Sequence, residues 1–221
     1  MKLRTLSAIA LVVSAVHASP SMAFGLPSIP GISGSNSAPS LNVDALSTQQ
    51  TQLLTSMAVS LLNLSKAQAM MFRALGDDER AQAAQHTADS LSGGTLTGKD
   101  DMKKALDSSL DLNDYAKKDI AKAGTLSGES KAMFAKSLVP YGVGTAGLVN
   151  AGKKAAEAGQ SLTHTIDPTI LFKLSSLLYV AKEAPTLMSA FGSTTSQLVT
   201  YATSQGIDTS AIKVAGASMG D

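Results

Sequence analysis

Residues 44–75 read DALSTQQTQLLTSMAVSLLNLSKAQAMMFRAL. Leu54, Met57, Leu61, Leu64, Met71 and Leu75 recur at alternating three- and four-residue steps, with Gln68 as the one polar member of the series. That spacing returns each side chain to one face of a helix, so the stretch predicts an amphipathic helix of about 30 residues, about 45 Å long. A helix of that length carries an apolar stripe that other helices must cover.

The chain on its C-terminal side supplies those helices. Gly76 stops the first one, and Asp77, Asp78 and Glu79 place negative charge at the unpaired N–H groups of the next. Its inner stripe is Ala81, Ala84, Ala88 and Leu91, small enough for close packing, and Gly93 and Gly94 end it. Residues 99–122 hold twelve charges in 24 positions and predict two short helices divided near Asp111 and Asn113, with a solvated charged face.

A further helical region is expected after Ser127, bent or broken at Pro140 and running to about Gly159. Gly147, Ala151, Ala155 and Gly159 recur every four residues and form a strip for close helix packing. Lys153, Lys154 and Glu157 interrupt the apolar character, which favours a packed bundle over a bilayer. Asp167 before Pro168 is the strongest local signal, an N-cap followed by the residue best suited to the first helical position. The helix behind it uses Ile170, Leu171, Leu174, Leu177 and Leu178, and Pro185 is expected to divide it from another bearing Leu187, Phe191, Leu198 and Tyr201. A short frayed helix and tail are expected over 208–221. No window alternates apolar and polar residues between hairpin turns. The fold expected is all-α, an antiparallel bundle of five to seven helices over residues 44–221.

Lys2 and Arg4, the apolar run 6–16 and the small residues at Ser21 and Ala23 read as a secretion signal over 1–23, cleaved between Ala23 and Phe24; a competing site follows Ala18. This run of eleven residues, Ser7 and Ser14 among them, falls short of the roughly 20 that span a bilayer as a helix. Residues 24–43 are rich in Gly, Pro and Ser and carry no charge, a disordered lead-in. The location expected is therefore outside the cytoplasm, in the periplasm or beyond the cell, of a bacterium. Cleavage removes two of the 18 Lys and Arg and none of the 17 Asp and Glu, leaving a net charge of −1. That near-neutral balance gives no reason to expect nucleic acid as a partner. There is no Cys, so disulfides, thiolate metal sites and Cys nucleophiles are excluded. Trp is absent and only nine residues are Phe or Tyr, so Leu, Ala, Val and Met must fill the core.

Several motifs match by letter and fail by context. Gly142, Gly144 and Gly147 fit the dinucleotide fingerprint with Asp167 twenty residues on, but Pro140 stands where a buried strand should precede them. Residues 147–154 and 93–100 approach a phosphate loop, yet Lys154 and Asp100 occupy the hydroxyl position. Ser210 and Lys213 lie too near the end for the other motifs of a serine acylase. Residues 111–115 open like a calcium loop, but Tyr115 takes a ligand position and Lys122 that of the bidentate Glu. His86 lies opposite the alanine stripe with Asp89 nearby, two ligands where a tight site needs three or four; His164 sits at a helix end. No catalytic residue, metal or cofactor is expected.

Three function classes follow. The first is a non-catalytic exported bundle that binds a protein partner or an apolar ligand, with Met57, Met70, Met71, Met133 and Met188 suited to an adaptable cavity. The second is a membrane-active protein whose uncharged segments 137–152 and 184–207 enter a bilayer; self-association suits either class. The third is an enzyme built from hydroxyls and carboxylates that converge only in space.

Overall fold

A computed structural model describes residues 43–93, 96, 98–162, 167–210 and 212. The expected signal segment with Ala23 and Phe24, the lead-in up to residue 42, His164 and the tail beyond residue 212 lie outside the described residues. Those described are all-α, with no strand among them. The elements are α1 (Val43–Leu75), α2 (Asp78–Gly93), α3 (Lys99–Lys122), α4 (Gly128–Leu162), α5 (Pro168–Lys173) and α6 (Ser175–Ser204).

Local chemistry sets the ends of these helices. Gly76 has φ +83°; its N–H bonds the Arg73 carbonyl at 3.1 Å and the Asp77 N–H bonds the Phe72 carbonyl at 2.8 Å. This six-to-one and five-to-two pair closes α1 through a left-handed residue that only Gly adopts without strain. Gly206, at φ +72°, closes α6 the same way, through bonds to Thr203 and Ala202. Asp77 then accepts from the Arg80 N–H at 3.0 Å and so caps α2, while Ser127 caps α4 through the Ser130 N–H at 3.2 Å. Asp167 accepts from the Thr169 N–H at 2.8 Å and opens α5. Asp167→Ala is expected to cost about 1 kcal/mol, the usual worth of such a cap. Hydrogen exchange over 168–173 would read it, and unchanged protection there would refute it.

The α1 stripe is buried as its spacing requires: Met57, Leu61, Leu64, Gln68 and Met71 are closed to solvent, with Leu54 nearly so. The main core joins it to Met102 and Leu106 of α3, Phe134, Leu138 and Tyr141 of α4, and Leu177, Val180, Leu187, Phe191 and Leu198 of α6. A second cluster packs Ala81 and Ala84 of α2 on Ala69 and Phe72 of α1 and on Leu112 and Ala116 of α3. The alanine stripe thus allows α2 to approach closely enough to cover the Phe72 ring.

Two expected helix breaks are corrected, and at Pro140, where a bend or a break is expected, the helix does not break. α3 runs unbroken through residues 111–113. Asn113 there is buried and spends its side chain on α6, so it does not compete for its own backbone as a helix-breaking Asn does. α4 continues through Pro140 and α6 through Pro185. Proline removes one backbone bond from each, but Leu138 and Tyr141 on either side of Pro140, and Ala184 and Leu187 on either side of Pro185, are buried and hold both halves against the core. The division expected at Pro185 falls instead at Leu174, a fully buried residue with φ −102° and ψ 19°. Gln50 of α1 spans that junction, donating to the Lys173 carbonyl at 3.0 Å and accepting from the Leu177 N–H at 3.3 Å.

Candidate functional site

Glycines set how closely the helices approach one another. A Cβ on Gly144 would lie 2.7 Å from the Ser60 carbonyl oxygen and 2.9 Å from the Leu64 nitrogen, so at this point α4 rests on the backbone of α1. On Gly147 it would lie 2.3 Å from Ser60 Oγ, on Gly152 3.1 Å from the Ala184 Cβ, and on Gly159 3.0 Å from the Ala181 Cβ. The four residues of the expected strip therefore do not share one partner. Gly147 meets α1, Gly159 meets α6, and Ala151 and Ala155 sit in the main core.

Next to this contact lies a buried polar cluster. Tyr141 is closed to solvent, and its hydroxyl donates to Asn113 Oδ1 at 2.9 Å. Asn113 Nδ2 donates to Thr194 Oγ1 at 2.8 Å and reaches the Ala190 carbonyl at 3.4 Å. Thr194 passes its own hydrogen to the Ala190 carbonyl at 3.1 Å. One amide side chain from α3 thus ties α4 to α6. Gln68 extends the polar seam to α1, donating to the Ser109 carbonyl at 3.4 Å. The Ser65 and Ser109 hydroxyls and Gln68 Oε1 are buried without a hydrogen-bond partner among the described residues.

Burial pushes the Tyr141 phenol well above its ordinary value, and the Thr195, Thr145 and Thr194 hydroxyls offset only part of that rise. A raised phenol favours the folded state fully below the unfolded pKa of about 10. As pH rises beyond it the unfolded chain loses a proton that the folded chain keeps. Stability then falls by up to about 1.4 kcal/mol per pH unit from this group alone. Denaturant titrations across the range where an unfolded phenol ionises, from about pH 9 to about pH 11, should show a shallower decline in Tyr141→Phe than in the parent. Equal slopes would remove the effect. The cluster is sealed from solvent and joins α3, α4 and α6.

The surface offers shallower features. Arg80 at the start of α2 pairs with its neighbour Asp77 and with Asp119 of α3 at 3.2 Å, and its guanidinium lies 4.3 Å from the centre of the Tyr115 ring. Burial raises the Asp119 carboxyl, and Arg80 opposes that rise. A cleft of about 470 Å³ beside this cluster is lined by Gly76, Asp77, Asp78, Glu79, Asp119 and Lys122. Its inner carboxylates are engaged in holding α2 against α3. A second cleft, about 350 Å³, lies between Ile120 and the α6 residues Gln197, Thr200, Tyr201 and Ser204. Both open widely to solvent.

The tempting motifs take ordinary places. Gly142, Gly144 and Gly147 lie inside α4, where no strand leads into a phosphate turn. Residues 111–115 lie inside α3. His86 is exposed on α2, with Asp89 bonded to Gln85 at 2.9 Å. Among the described residues no three His, Asp or Glu side chains converge as a metal site would require, and no helix is long and apolar enough to cross a membrane. The Asn113, Tyr141 and Thr194 cluster is not legible in the sequence, because Tyr141 and Thr194 lie 28 and 81 residues from Asn113 in the chain. Comparison of the chain with protein-family models, with curated proteins and with solved structures finds no match.

Proposed function

We propose that this chain is an exported, non-catalytic protein, an antiparallel helical bundle that works by binding a protein partner in the cell envelope. The observation that carries the choice of partner is the filled interior. Of the five methionines expected to suit a cavity, Met57 and Met71 are closed to solvent within the main core, together with Phe134, Tyr141 and Phe191, while Met70, Met133 and Met188 are half-buried. Methionines that line a cargo cavity would face open space instead. Tyr141, Asn113 and Thr194 at the centre are engaged in tying α3, α4 and α6 together, which supports a structural role for them. The uncharged segments 137–152 and 184–207 bury Leu138, Tyr141, Leu148, Leu187, Phe191 and Leu198. Drawing them into a bilayer would dismantle the core, which counts against the membrane-active reading. For the bundle arrangement, Tyr141, Gly152 and Gly159 of α4 lie nearest Thr194, Ala184 and Ala181 of α6, so the two helices run in opposite directions.

Native mass spectrometry of the protein purified from its own cell envelope tests the reading. The expected result is the bare chain, or the chain with a stoichiometric protein companion. An excess mass that disappears on organic extraction would overturn it in favour of an apolar cargo.

A further inference from the structure

Among the described residues, the outer side of the α1–α4 pair carries exposed apolar side chains and an organised pattern of charge. Val59 of α1 is 42% exposed, and Val139 and Val143 of α4 are 53% and 57% exposed. Val59 precedes Ser60 and Val143 precedes Gly144, the two residues where the helices touch, and each valine is turned about 100° from the contact line. α1 and α6 run parallel, since Gln50 sits at Leu177 and Gln68 at the Asn113 end of α3 that meets Thr194; α1 is therefore antiparallel to α4. In an antiparallel pair the same rotation from the contact line leads to the same side. Val59, Val139 and Val143 therefore flank one seam.

Cations continue that face. Lys66 and Arg73 follow Val59 at steps of seven, Lys136 precedes Val143 by seven, and Lys154 follows it by eleven, spacings that return to one side of a helix. All four lie at the surface, and none forms an ion pair among the described residues. Of the carboxylates of these two helices, Asp44 and Glu129 stand in the first turns, and Glu157 lies on this face one turn beyond Lys154, so the four cations meet one carboxylate there.

We propose that this face docks an acidic amphipathic helix from a protein partner, laid along the seam with its apolar residues on the three valines and its carboxylates between the four cations. The proposal rests on the protein-binding reading above. Three branched, stiff side chains on two adjacent rods present a fixed, flat surface of the kind a helix covers. A lipid surface is captured by Trp, Phe and Leu that sink into it, and the exposed hydrophobic residues of this face are valines. A second copy would set cations against cations across a two-fold axis. From Lys136 to Lys154 the face spans about 27 Å, the length of a helix of about 18 residues.

The test places a photo-crosslinking residue at Val143 of the full chain, in the cells that make it, with Asp111 on α3 as the control position. The expected result is one protein adduct from position 143, mapped by peptide sequencing to a helical segment rich in Asp and Glu. Lys66→Glu with Lys136→Glu should reduce its yield about tenfold or more, while the thermal midpoint stays unchanged because both positions lie at the surface. An adduct to a basic segment, to a second copy or to lipid overturns the proposal, as does a yield indifferent to the charge reversals. An adduct from position 111 alone overturns this face and leaves the protein-binding reading standing. Protein adducts from neither position, with lipid mass in the native spectrum, remove both.

Discussion

Gly144→Ala is expected to destabilise the fold by about 2 kcal/mol, lowering the thermal midpoint by about 4–8 °C. The added methyl would meet the Ser60 carbonyl oxygen at 2.7 Å and the Leu64 nitrogen at 2.9 Å. These are backbone atoms of a helix packed along most of its length, so relief requires α1 and α4 to separate, and overpacking of that kind costs about 1–3 kcal/mol. Replacing a helical Gly returns up to about 1 kcal/mol of backbone entropy, which offsets only part of it. Gly192 supplies the contrast. It lies inside α6, and a methyl added there would have nothing within 4 Å, so Gly192→Ala should stabilise the fold by about 0.5–1 kcal/mol. Gly147→Ala should fall between the two, because the atom in the way is the Ser60 hydroxyl at the end of a side chain. Chemical denaturation of the three variants settles the order. Gly144→Ala as stable as Gly192→Ala would mean that the helices do not touch at this point.

That ordering shows where the sequence can be read and where it cannot. The α1 stripe, the alanine face of α2 and the Asp167 cap are legible because each is a local pattern enforced by one helix on its own residues. The helix breaks are not, because propensity is a local preference and packing overrides it. Pro140 and Pro185 stay helical between buried neighbours, and Asn113 stays helical because its amide is used elsewhere. Nothing local singles out Leu174, since the Gln50 side chain that bridges its junction comes from more than a hundred residues away. The strip of small residues is visible as a period of four. Which neighbour each member meets depends on the crossing of three helices, and that is a property of the assembled core. The exposed valines and cations of the α1–α4 face are equally present in the sequence, but their union requires knowing that Ser60 meets Gly144.

Asn113→Ala should cost about 3–4 kcal/mol. The change removes the acceptor of the Tyr141 hydroxyl at 2.9 Å and the donor to Thr194 at 2.8 Å. It leaves a fully buried phenol without its partner, at about 1–3 kcal/mol for an unsatisfied group, and opens a small void among α3, α4 and α6. Tyr141→Phe is milder, at about 1–2 kcal/mol, because the ring still fills its space and Asn113 still holds Thr194. The double variant decides between a network and a set of separate bonds. With the phenol already gone, Asn113→Ala strands one polar group fewer, so the combined loss should fall short of the sum by about 1 kcal/mol or more. Strict additivity in a denaturation cycle would show that the two side chains act independently. A shortfall would mean that the three helices are held in register through a single amide.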